Sequence, residues 1–290
     1  MQNLGLVVTS FGRQFIVEVD GVNYQAVTKA KKTNYVVGDI VKVDIINNEQ
    51  LQITELIPRT NLVYRIDHNR SKIIASNIDQ ILIVIAVKPY FDADFLNSCL
   101  TFAESSNITP IVVINKSDLR ESGAFIQQIE DLYATKLSYN IIKLSAIDNC
   151  NILNNILMNK RNLLIGQSGV GKSTITNGLI ARANTRVGSL GKQEISGCHT
   201  TTNATLYHID QRTSLIDCPG LQGFGLYDMP IDSLISFFPE FREYLGKCKF
   251  NNCRHLNEPG CALIAAANDG LFDKTRFVYL QRLTKSLLEK

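Results

Sequence analysis

The stretch NLLIGQSGVGKST, residues 162–174, joins an apolar run to a glycine-rich turn, and its last two residues open the helical run STITNGLIARA, residues 173–183. The turn fits the pattern G-x-x-x-x-G-K-[ST], and an apolar strand before it and a helix after it are the context that this pattern requires. Glycines let the backbone curl so that several N–H groups face inward, where the positive end of the helix dipole adds to them. The sequence therefore predicts a phosphate-binding loop at a strand-to-helix turn.

Nine consecutive residues make up this predicted loop. They are Gly166, Gln167, Ser168, Gly169, Val170, Gly171, Lys172, Ser173 and Thr174. We expect Lys172 to meet the β- and γ-phosphates of a nucleotide and Ser173 to ligate Mg²⁺. A loop of this kind does not distinguish ATP from GTP, so the base must be read elsewhere.

The tetrapeptide NKSD supplies candidate base-reading residues directly after the apolar run PIVVI, residues 110–114. Its members are Asn115, Lys116, Ser117 and Asp118. The Asp118 carboxylate can accept from two N–H donors on one edge of guanine, which adenine does not offer. An adenine would leave the carboxylate unpaired at a cost of about 1–3 kcal/mol. We expect Asn115 to tie this loop to the phosphate loop and the Lys116 stem to cover the ring.

A second base-reading stretch is KLSAI, residues 143–147, at the end of another predicted strand, where the N–H of Ala146, beside Ser145, could reach the guanine oxygen. Both base-reading stretches precede the phosphate loop, which reverses the usual order. Neighbouring strands can be joined by different loops without changing the site, provided that the original termini lie close together. The segment LMNKRN, residues 157–162, would form the new joint.

The stretch DCPG, residues 217–220, follows the strand-like TSLI and predicts contacts to the metal and the γ-phosphate. Asp217 would act on Mg²⁺ through a water, and Gly220 would give an N–H to the γ-phosphate. A threonine of HTTT, residues 199–202, should close over the metal; we take Thr201, although spacing does not choose among Thr200, Thr201 and Thr202.

The attacking water has no obvious positioning residue. Leu221 stands directly after the glycine of DCPG, where many GTPases carry a water-orienting glutamine. We therefore expect slow unassisted hydrolysis. His199 is a candidate substitute because an imidazole can orient or accept from water near neutral pH, and a solvated loop histidine is the alternative.

A cysteine cluster in residues 248–261 predicts a metal site. Three of the seven cysteines and one of the four histidines fall in CKFNNCRHLNEPGC, as Cys248, Cys253, His255 and Cys261. Three thiolates and an imidazole form the ligand set of a closed structural Zn²⁺ site, with no position left open for catalysis. We expect one zinc per chain, which stabilises a small helical domain.

The remaining sequence divides the 290 residues into three predicted domains. Residues 1–70 carry about five bursts of alternating polarity, typical of a small OB-type β-barrel. Residues 71–227 alternate apolar strands with helices, typical of a mostly parallel sheet covered on both faces. Residues 228–290 have helical spacing. In the first domain the basic stretch with Lys29, Lys31, Lys32 and Tyr35 is either a nucleic-acid contact or a solvated loop.

Composition excludes few classes of function. Hydrophobic residues make up 45% and charged residues 20%, and the net charge of +3 is only a weak indication of a polyanionic partner. No apolar run reaches the roughly 18 to 20 residues that a membrane-spanning helix needs. The N-terminal stretch lacks the pattern of a secretion signal, so we expect a cytoplasmic protein without a membrane partner.

Together these motifs resemble the circularly permuted GTPases, and the order of barrel, permuted GTPase and Cys-Cys-His-Cys domain resembles the bacterial small ribosomal subunit biogenesis GTPase family. NKSD, GQSGVGKST, GCHTTT, DCPG and the run from Cys248 to EPGC carry this resemblance over nearly the whole chain. Cys218 departs from the serine or threonine expected at its position. The resemblance implies GTP hydrolysis to GDP stimulated by the 30S subunit, binding to 16S ribosomal RNA, and action late in subunit maturation. We expect a monomer.

Two other functions fit parts of the sequence. The chain could be an RNA-binding scaffold in which barrel and metal domain grip RNA and the nucleotide is structural. It could also be an ATP-dependent kinase or ATPase, which NKSD disfavours. Stimulation of hydrolysis by small subunits would distinguish a GTPase from an RNA-binding scaffold. Equal competition by ATP would indicate a kinase or ATPase.

Overall fold

The computed structural model describes residues 3–11, 14–28, 35–67, 70–186, 204–218, 224, 226 and 229–289. The first five strands form a closed barrel. They are β1 (Asn3–Phe11), β2 (Gln14–Val19), β3 (Val22–Thr28), β4 (Ile40–Ile45) and β5 (Gln50–Leu56). They pair in the order β1-β2-β3-β5-β4, and β4 returns to β1 to close the sheet.

Alternation of polarity places one face of each barrel strand inside. Buried side chains such as Val7, Val17 and Leu51 fill the interior, and Asp20 and Gly21 take the positive φ that the β2–β3 turn requires (49° and 80°). Strands β3 and β5 are parallel while the other barrel pairs are antiparallel. The prediction of an OB-type barrel is confirmed.

A two-stranded hairpin of β6 (Leu62–Asp67) and β7 (Arg70–Ser76) follows the barrel. The fully buried Asp39 carboxylate connects the barrel to the hairpin, since it accepts from Arg59 (Nε, 2.7 Å) and from the Ser76 hydroxyl (2.6 Å). The division into residues 1–70, 71–227 and 228–290 stays a proposal, and its first boundary lies within this hairpin.

The central domain is a six-stranded sheet with helices. Its strands are β8 (Gln80–Ala86), β9 (Thr109–Asn115), β10 (Asn140–Lys143), β11 (Arg161–Gly166), β12 (Thr205–His208) and β13 (Ser214–Asp217). Its helices are α1 (Ala93–Ser105), α2 (Ser122–Ile129), α3 (Asn154–Leu157) and α4 (Lys172–Arg186), with a π-helical turn at Glu130–Lys136 and a 3₁₀ turn at Asn151–Leu153. The strand order is β10-β9-β8-β11-β13-β12, and all pairs are parallel except β12–β13.

Strand β11 lies between β8 and β13, so three parallel strands bring their carboxyl ends to one edge of the sheet. Ligands of such sheets bind at this edge. Strand β8 is buried along its whole length, as expected for a parallel strand covered on both faces. The predicted sheet is confirmed, and it places β11, the strand before the phosphate loop, between the earlier strand β8 and the later strand β13.

The C-terminal part is helical, but its first half is not α-helix. Two 3₁₀ segments, Ile231–Phe237 and Pro239–Tyr244, precede α5 (Ala262–Asn268) and α6 (Lys274–Leu288). Pro239 lacks an N–H and cannot continue the preceding helix, which explains why the helical spacing of the first half gives only short segments. Phe238 and Phe241 are fully buried and stack on each other at 5.6 Å in a core that α1 shares.

The barrel and the central sheet are continuous. Strand β12 pairs with β1 through Thr205 and Thr9, and His208 meets Glu18 of β2 at 3.0 Å. The guanidinium of Arg161 donates to the carbonyl of Gly38 at 2.8 Å. Among the described residues, no helix has the length and apolarity needed to cross a bilayer.

Candidate nucleotide site and metal centre

The phosphate loop connects β11 to α4 at the carboxyl edge of the sheet. The Lys172 ammonium folds onto the loop and donates to the carbonyls of Gly166 (2.7 Å) and Gln167 (2.8 Å). Burial lowers the pKa of Lys172, while the nearby Asp217 carboxylate acts to raise it. The loop therefore places a cation, helix N–H groups and a carboxylate where a metal-bound phosphate would fit.

Gly171 is required for the close approach of two loops. Its φ of +101° lies in the region that favours glycine, and a Cβ there would overlap the amide nitrogen of Asn115. The buried Asn115 amide donates to the carbonyl of Val170 at 2.8 Å. The predicted link between NKSD and the phosphate loop is thus present in the structure.

Asn115 also binds the third loop of the site. Its side-chain oxygen accepts from the N–H of Ala146 at 3.0 Å. The contact of this N–H with the guanine oxygen stays a prediction. One buried amide therefore joins the phosphate loop to both predicted base-reading loops.

Lys116 lies across the phosphate loop. Its ammonium donates to the carbonyls of Gly169 (2.7 Å) and Lys88 (3.1 Å), and the N–H of Ser117 donates to the carbonyl of Leu144 at 3.1 Å. The Asp118 side chain is exposed. An exposed carboxylate beside a fixed lysine stem is free to accept from a base placed against that stem.

The Ser145 hydroxyl is an unusual feature of the base-reading side. It is buried and has no hydrogen-bond partner among the described residues. A buried hydroxyl without a partner is costly, so a ligand that donates or accepts here would be stabilised. This observation fits a polar group of a bound base.

The carboxylate of Asp217 lies at the end of β13, opposite Leu164 of β11. It accepts from the Thr176 hydroxyl at 3.2 Å. Burial raises the pKa of Asp217, and the bond from Thr176 and the charge of Lys172 oppose this shift. This carboxylate and the hydroxyl of Ser173, which is exposed at the start of α4, are oxygen ligands of the kind that Mg²⁺ prefers.

Some predicted residues lie outside the described part of the chain. They are His199, Thr200, Thr201, Thr202, Gly220 and Leu221 of the γ-phosphate side and Lys29, Lys31 and Lys32 of the barrel.

The four metal-ligand candidates converge on one point. The side-chain ligand atoms of Cys248, Cys253, His255 and Cys261 all lie within 4.8 Å of one another. The Nδ1 atom of His255 lies 3.6, 3.6 and 3.4 Å from the sulfurs of Cys248, Cys253 and Cys261. A tetrahedral ion with Zn²⁺ bond lengths predicts nitrogen–sulfur edges of about 3.5 Å. The cluster therefore could hold a metal.

Backbone contacts support this cluster from outside. The N–H of Ala262 donates to the Cys248 sulfur at 3.4 Å, and Gln281 of α6 donates to the carbonyl of His255 at 2.8 Å. Burial lowers the pKa of His255, which favours the neutral imidazole that a metal needs. Contacts of this kind orient metal ligands.

Comparison with known proteins decides the family. A family model described as RsgA GTPase matches residues 56–227, which contain NKSD, the phosphate loop and DCPG. The chain belongs to the RsgA GTPase family.

Similar full-length members of the RsgA family support this assignment. A protein of Neisseria meningitidis serogroup C named small ribosomal subunit biogenesis GTPase RsgA is 40% identical over 288 residues, 99% of this chain and 93% of that protein. A protein of the same name from Nitrosomonas europaea is 40% identical over 286 residues, 98% of this chain and 91% of that protein.

Two solved structures show the same fold. YjeQ from Thermotoga maritima matches with a TM-score of 0.78 and 24% identity, covering both chains completely. YloQ, described as a circularly permuted GTPase, matches with a TM-score of 0.74 and 23% identity over all of this chain and 96% of its own. The fold that this chain shares with the two structures therefore extends from the barrel to the cysteine cluster.

Sequence reasoning missed two contacts of this RsgA-family site. The carbonyl of Lys88 comes from the loop before α1, and no motif marks it. Thr176 could have been found, because it lies three residues after Ser173 and one helical turn therefore brings it to the same face.

Proposed function

We propose that this chain hydrolyses GTP to GDP and phosphate and acts in the late maturation of the 30S ribosomal subunit. The observation that carries the proposal is the buried Asn115 amide, which joins the phosphate loop to the base-reading loops beside Asp118. The names of the relatives, small ribosomal subunit biogenesis GTPase, support the biological setting.

We assign the base to one group of residues and the phosphates to another. Asn115, Lys116, Ser117, Asp118, Ser145 and Ala146 would hold guanine. The loop from Gly166 to Thr174, together with Asp217 and Gly220, would hold the phosphates. Asp118 decides the choice of base, because guanine supplies the two donors that its carboxylate accepts.

Mg²⁺, when bound with GTP, neutralises charge on the β- and γ-phosphates. Ser173 and Thr201 are the proposed ligands, and Asp217 would accept from a metal-bound water. Lys172 would leave the carbonyls of Gly166 and Gln167 for the phosphates, which are stronger acceptors.

His199 is the proposed water-positioning residue, because the apolar side chain of Leu221 cannot hydrogen-bond to the attacking water. Replacing His199 with Ala should lower turnover and leave nucleotide affinity nearly unchanged. Equal turnover in the two proteins would dismiss the residue.

The proposed partners are the 30S subunit and its 16S ribosomal RNA, and the proposed setting is the cytoplasm, with the chain a monomer. One Zn²⁺ per chain, held by the four cluster residues, would have a structural role. Because DCPG leads towards the C-terminal domain, loss of the γ-phosphate would change the affinity of the chain for the 30S subunit. GTP analogues should then bind the chain to 30S subunits more tightly than GDP does, and equal affinities would contradict this step.

The decisive experiment measures phosphate release from GTP and from ATP, with and without purified 30S subunits. We expect slow GTP turnover, stimulation by 30S subunits, and little competition by ATP. An Asp118→Ala variant should lose its preference for guanine, and Asp131→Ala, an exposed carboxylate of the same domain, is the matched control. Absence of stimulation would favour an RNA-binding scaffold, and equal use of ATP would favour an ATPase.

A further inference from the structure

The hydrogen bond between Thr176 and Asp217 is not explained by any motif of the site. Thr176 lies in the first turns of α4 and is 5% exposed, and its hydroxyl donates to Oδ2 of Asp217 at 3.2 Å. The bond crosses from the phosphate-loop helix to the strand that carries the metal-side carboxylate. It therefore connects two parts of the proposed catalytic site.

The direction of this bond is unusual for a buried helical threonine. Such a hydroxyl commonly donates to the carbonyl four residues earlier in its own helix. Thr101 of α1 does so towards Asn97 (2.8 Å), and Thr284 of α6 does so towards Leu280 (2.9 Å). Thr176 instead donates out of its helix to a carboxylate.

The position of Thr176 follows from the periodicity of α4. Ile175 and Leu179 are buried in the core beneath the helix, and Thr176 lies beside them at the end nearest the phosphate loop. Asp217 is the last residue of β13 and is half-buried, so its carboxylate needs partners that replace water. The helix supplies one of them.

The bond fixes one carboxylate oxygen and, as far as the described part of the chain shows, leaves the other available. Among the described residues, Oδ1 of Asp217 has no hydrogen-bond donor, while Oδ2 is held by Thr176. A carboxylate that is already fixed in one rotamer loses less conformational entropy when it accepts from a metal-bound water. The entropic cost of binding the hydrated metal is therefore lower.

We propose that Thr176 is a positioning residue, whose hydroxyl holds the Asp217 carboxylate ready for the hydrated Mg²⁺ that accompanies the nucleotide. This inference rests on the proposed function, because it assumes the metal-side role of Asp217. Thr176 would act through Asp217 and not by direct contact with the metal or the nucleotide. If the contact were only packing, valine would replace threonine without effect on the metal.

The test compares Thr176→Val, which keeps the shape and loses the hydroxyl, with Thr176→Ser, which keeps the hydroxyl. Thr213→Val is the matched control, because Thr213 is buried directly before β13 and its hydroxyl accepts from the N–H of Asn159 at 3.0 Å. Asp217→Asn reports on the carboxylate itself. A fluorescent GDP analogue is bound to each full-length protein in EDTA, and Mg²⁺ is then titrated in.

We expect Thr176→Val to bind the analogue in EDTA like the wild type and to need about tenfold more Mg²⁺ for half-saturation, equal to about 1.4 kcal/mol. Thr176→Ser should restore the wild-type titration. Thr213→Val should lower thermal stability and leave the titration unchanged. The Asp217→Asn and Thr176→Val effects should not add, because they remove the same interaction.

Two results would overturn the inference. One is a Thr176→Val titration that superimposes on the wild type, and the other is an equal shift in Thr213→Val. If Asp217→Asn shifts the titration and Thr176→Val does not, only the role of Thr176 fails. If neither shifts it, the metal-side role of Asp217 in the proposed function fails as well.

Discussion

At the scale of single residues, the site depends on a contact between chain segments far apart in sequence. The Asn115 amide reaches Val170, 55 residues later, and the space for it exists because Gly171 has no side chain. A motif describes each residue alone. Their contact explains why glycine is needed here both for its φ and for the room that it leaves.

We predict that Gly171→Ala abolishes tight nucleotide binding. The new Cβ would overlap the Asn115 amide, and the positive φ adds a backbone cost of about 1–2 kcal/mol. Isothermal titration with GDP measures the effect. Gly123→Ala is the control, because a Cβ at this exposed position of α2 meets nothing within 4 Å. Equal affinity in the two variants would show that the loops tolerate the added group.

At the scale of elements, helix α6 begins at a capping residue that also faces the central domain. Asp273 accepts from the N–H of Thr275 at 2.9 Å and meets Lys136 at 3.4 Å. Burial acts to raise the pKa of Asp273, but the bonds from Thr275 and the charge of Lys136 outweigh it, so the pKa lies below its usual value. The charged form is therefore favoured by folding.

We predict that this carboxylate makes stability depend on pH. Because its pKa is lowered on folding, its stabilisation is complete above the unfolded value of about 3.9 and is lost as the pH falls through the folded value. Urea denaturation at several pH values should show wild type more stable than Asp273→Asn at pH 7, with a difference that shrinks in acid.

The two variants at this position separate capping from charge. Asn keeps a capping oxygen, so Asp273→Ala should cost about 0.5–2 kcal/mol at pH 7 and Asp273→Asn less. A difference in unfolding free energy between wild type and Asp273→Asn that stays constant down to pH 3 would show that the charge of Asp273 does not contribute to stability.

At the scale of the whole molecule, the C-terminal domain docks on α1 with matched charges. Arg242 meets Glu104 at 2.7 Å and Arg282 meets Asp94 at 2.6 Å on the surface. Exposed ion pairs of this kind contribute about 0–1 kcal/mol each to stability. They therefore orient the domain more than they stabilise its attachment. The buried core that α1 shares with the C-terminal segments, including Phe238, supplies the greater part of the attachment.

The buried Arg276 adds specificity to this docking. Its guanidinium donates to Glu240 at 2.7 Å and to Asn97 of α1 at 3.3 Å, and it lies over the Phe238 ring at 4.8 Å. A buried ion pair offsets its own desolvation only when it is well placed, so an incorrectly docked domain would leave these charges unpaired.

We predict that loss of the metal loosens the C-terminal domain before the rest of the chain. The four proposed ligands lie in a segment with little helix of its own, so a metal bound there would supply much of the order of this segment. Cys253→Ser should lose the bound zinc, measured by elemental analysis, and should expose α5 and α6 to hydrogen exchange. Binding of GDP should persist, because the phosphate loop is built from the central sheet.

Asn252→Ser is the control for this prediction, since the exposed Asn252 is the neighbour of the proposed ligand Cys253 and is not itself a proposed ligand. It should keep one zinc per chain. Hydrogen exchange that rises equally across the central sheet in Cys253→Ser would contradict a local role for the metal.

The features that the sequence predicted correctly are those that depend on residues close together in the chain. The phosphate loop, NKSD and the cysteine cluster are each contiguous or nearly so, and their residue types are constrained by local backbone geometry or by ligand chemistry. The apolar strands of the central sheet were found for a similar reason, since burial on both faces leaves a continuous pattern. The 3₁₀ segments around Pro239 were not found, because apolar spacing does not tell short helical turns from α-helix.

By itself the sequence determined which chemical groups this protein carries, because motifs record local geometry within a few residues. Only the tertiary structure decided which groups meet: Asn115 with Val170 and Ala146, Thr176 with Asp217, and α1 with the C-terminal domain. Each of these contacts depends on strand order and helix packing, which are set by the burial of the whole apolar core and leave no pattern in any short stretch of chain.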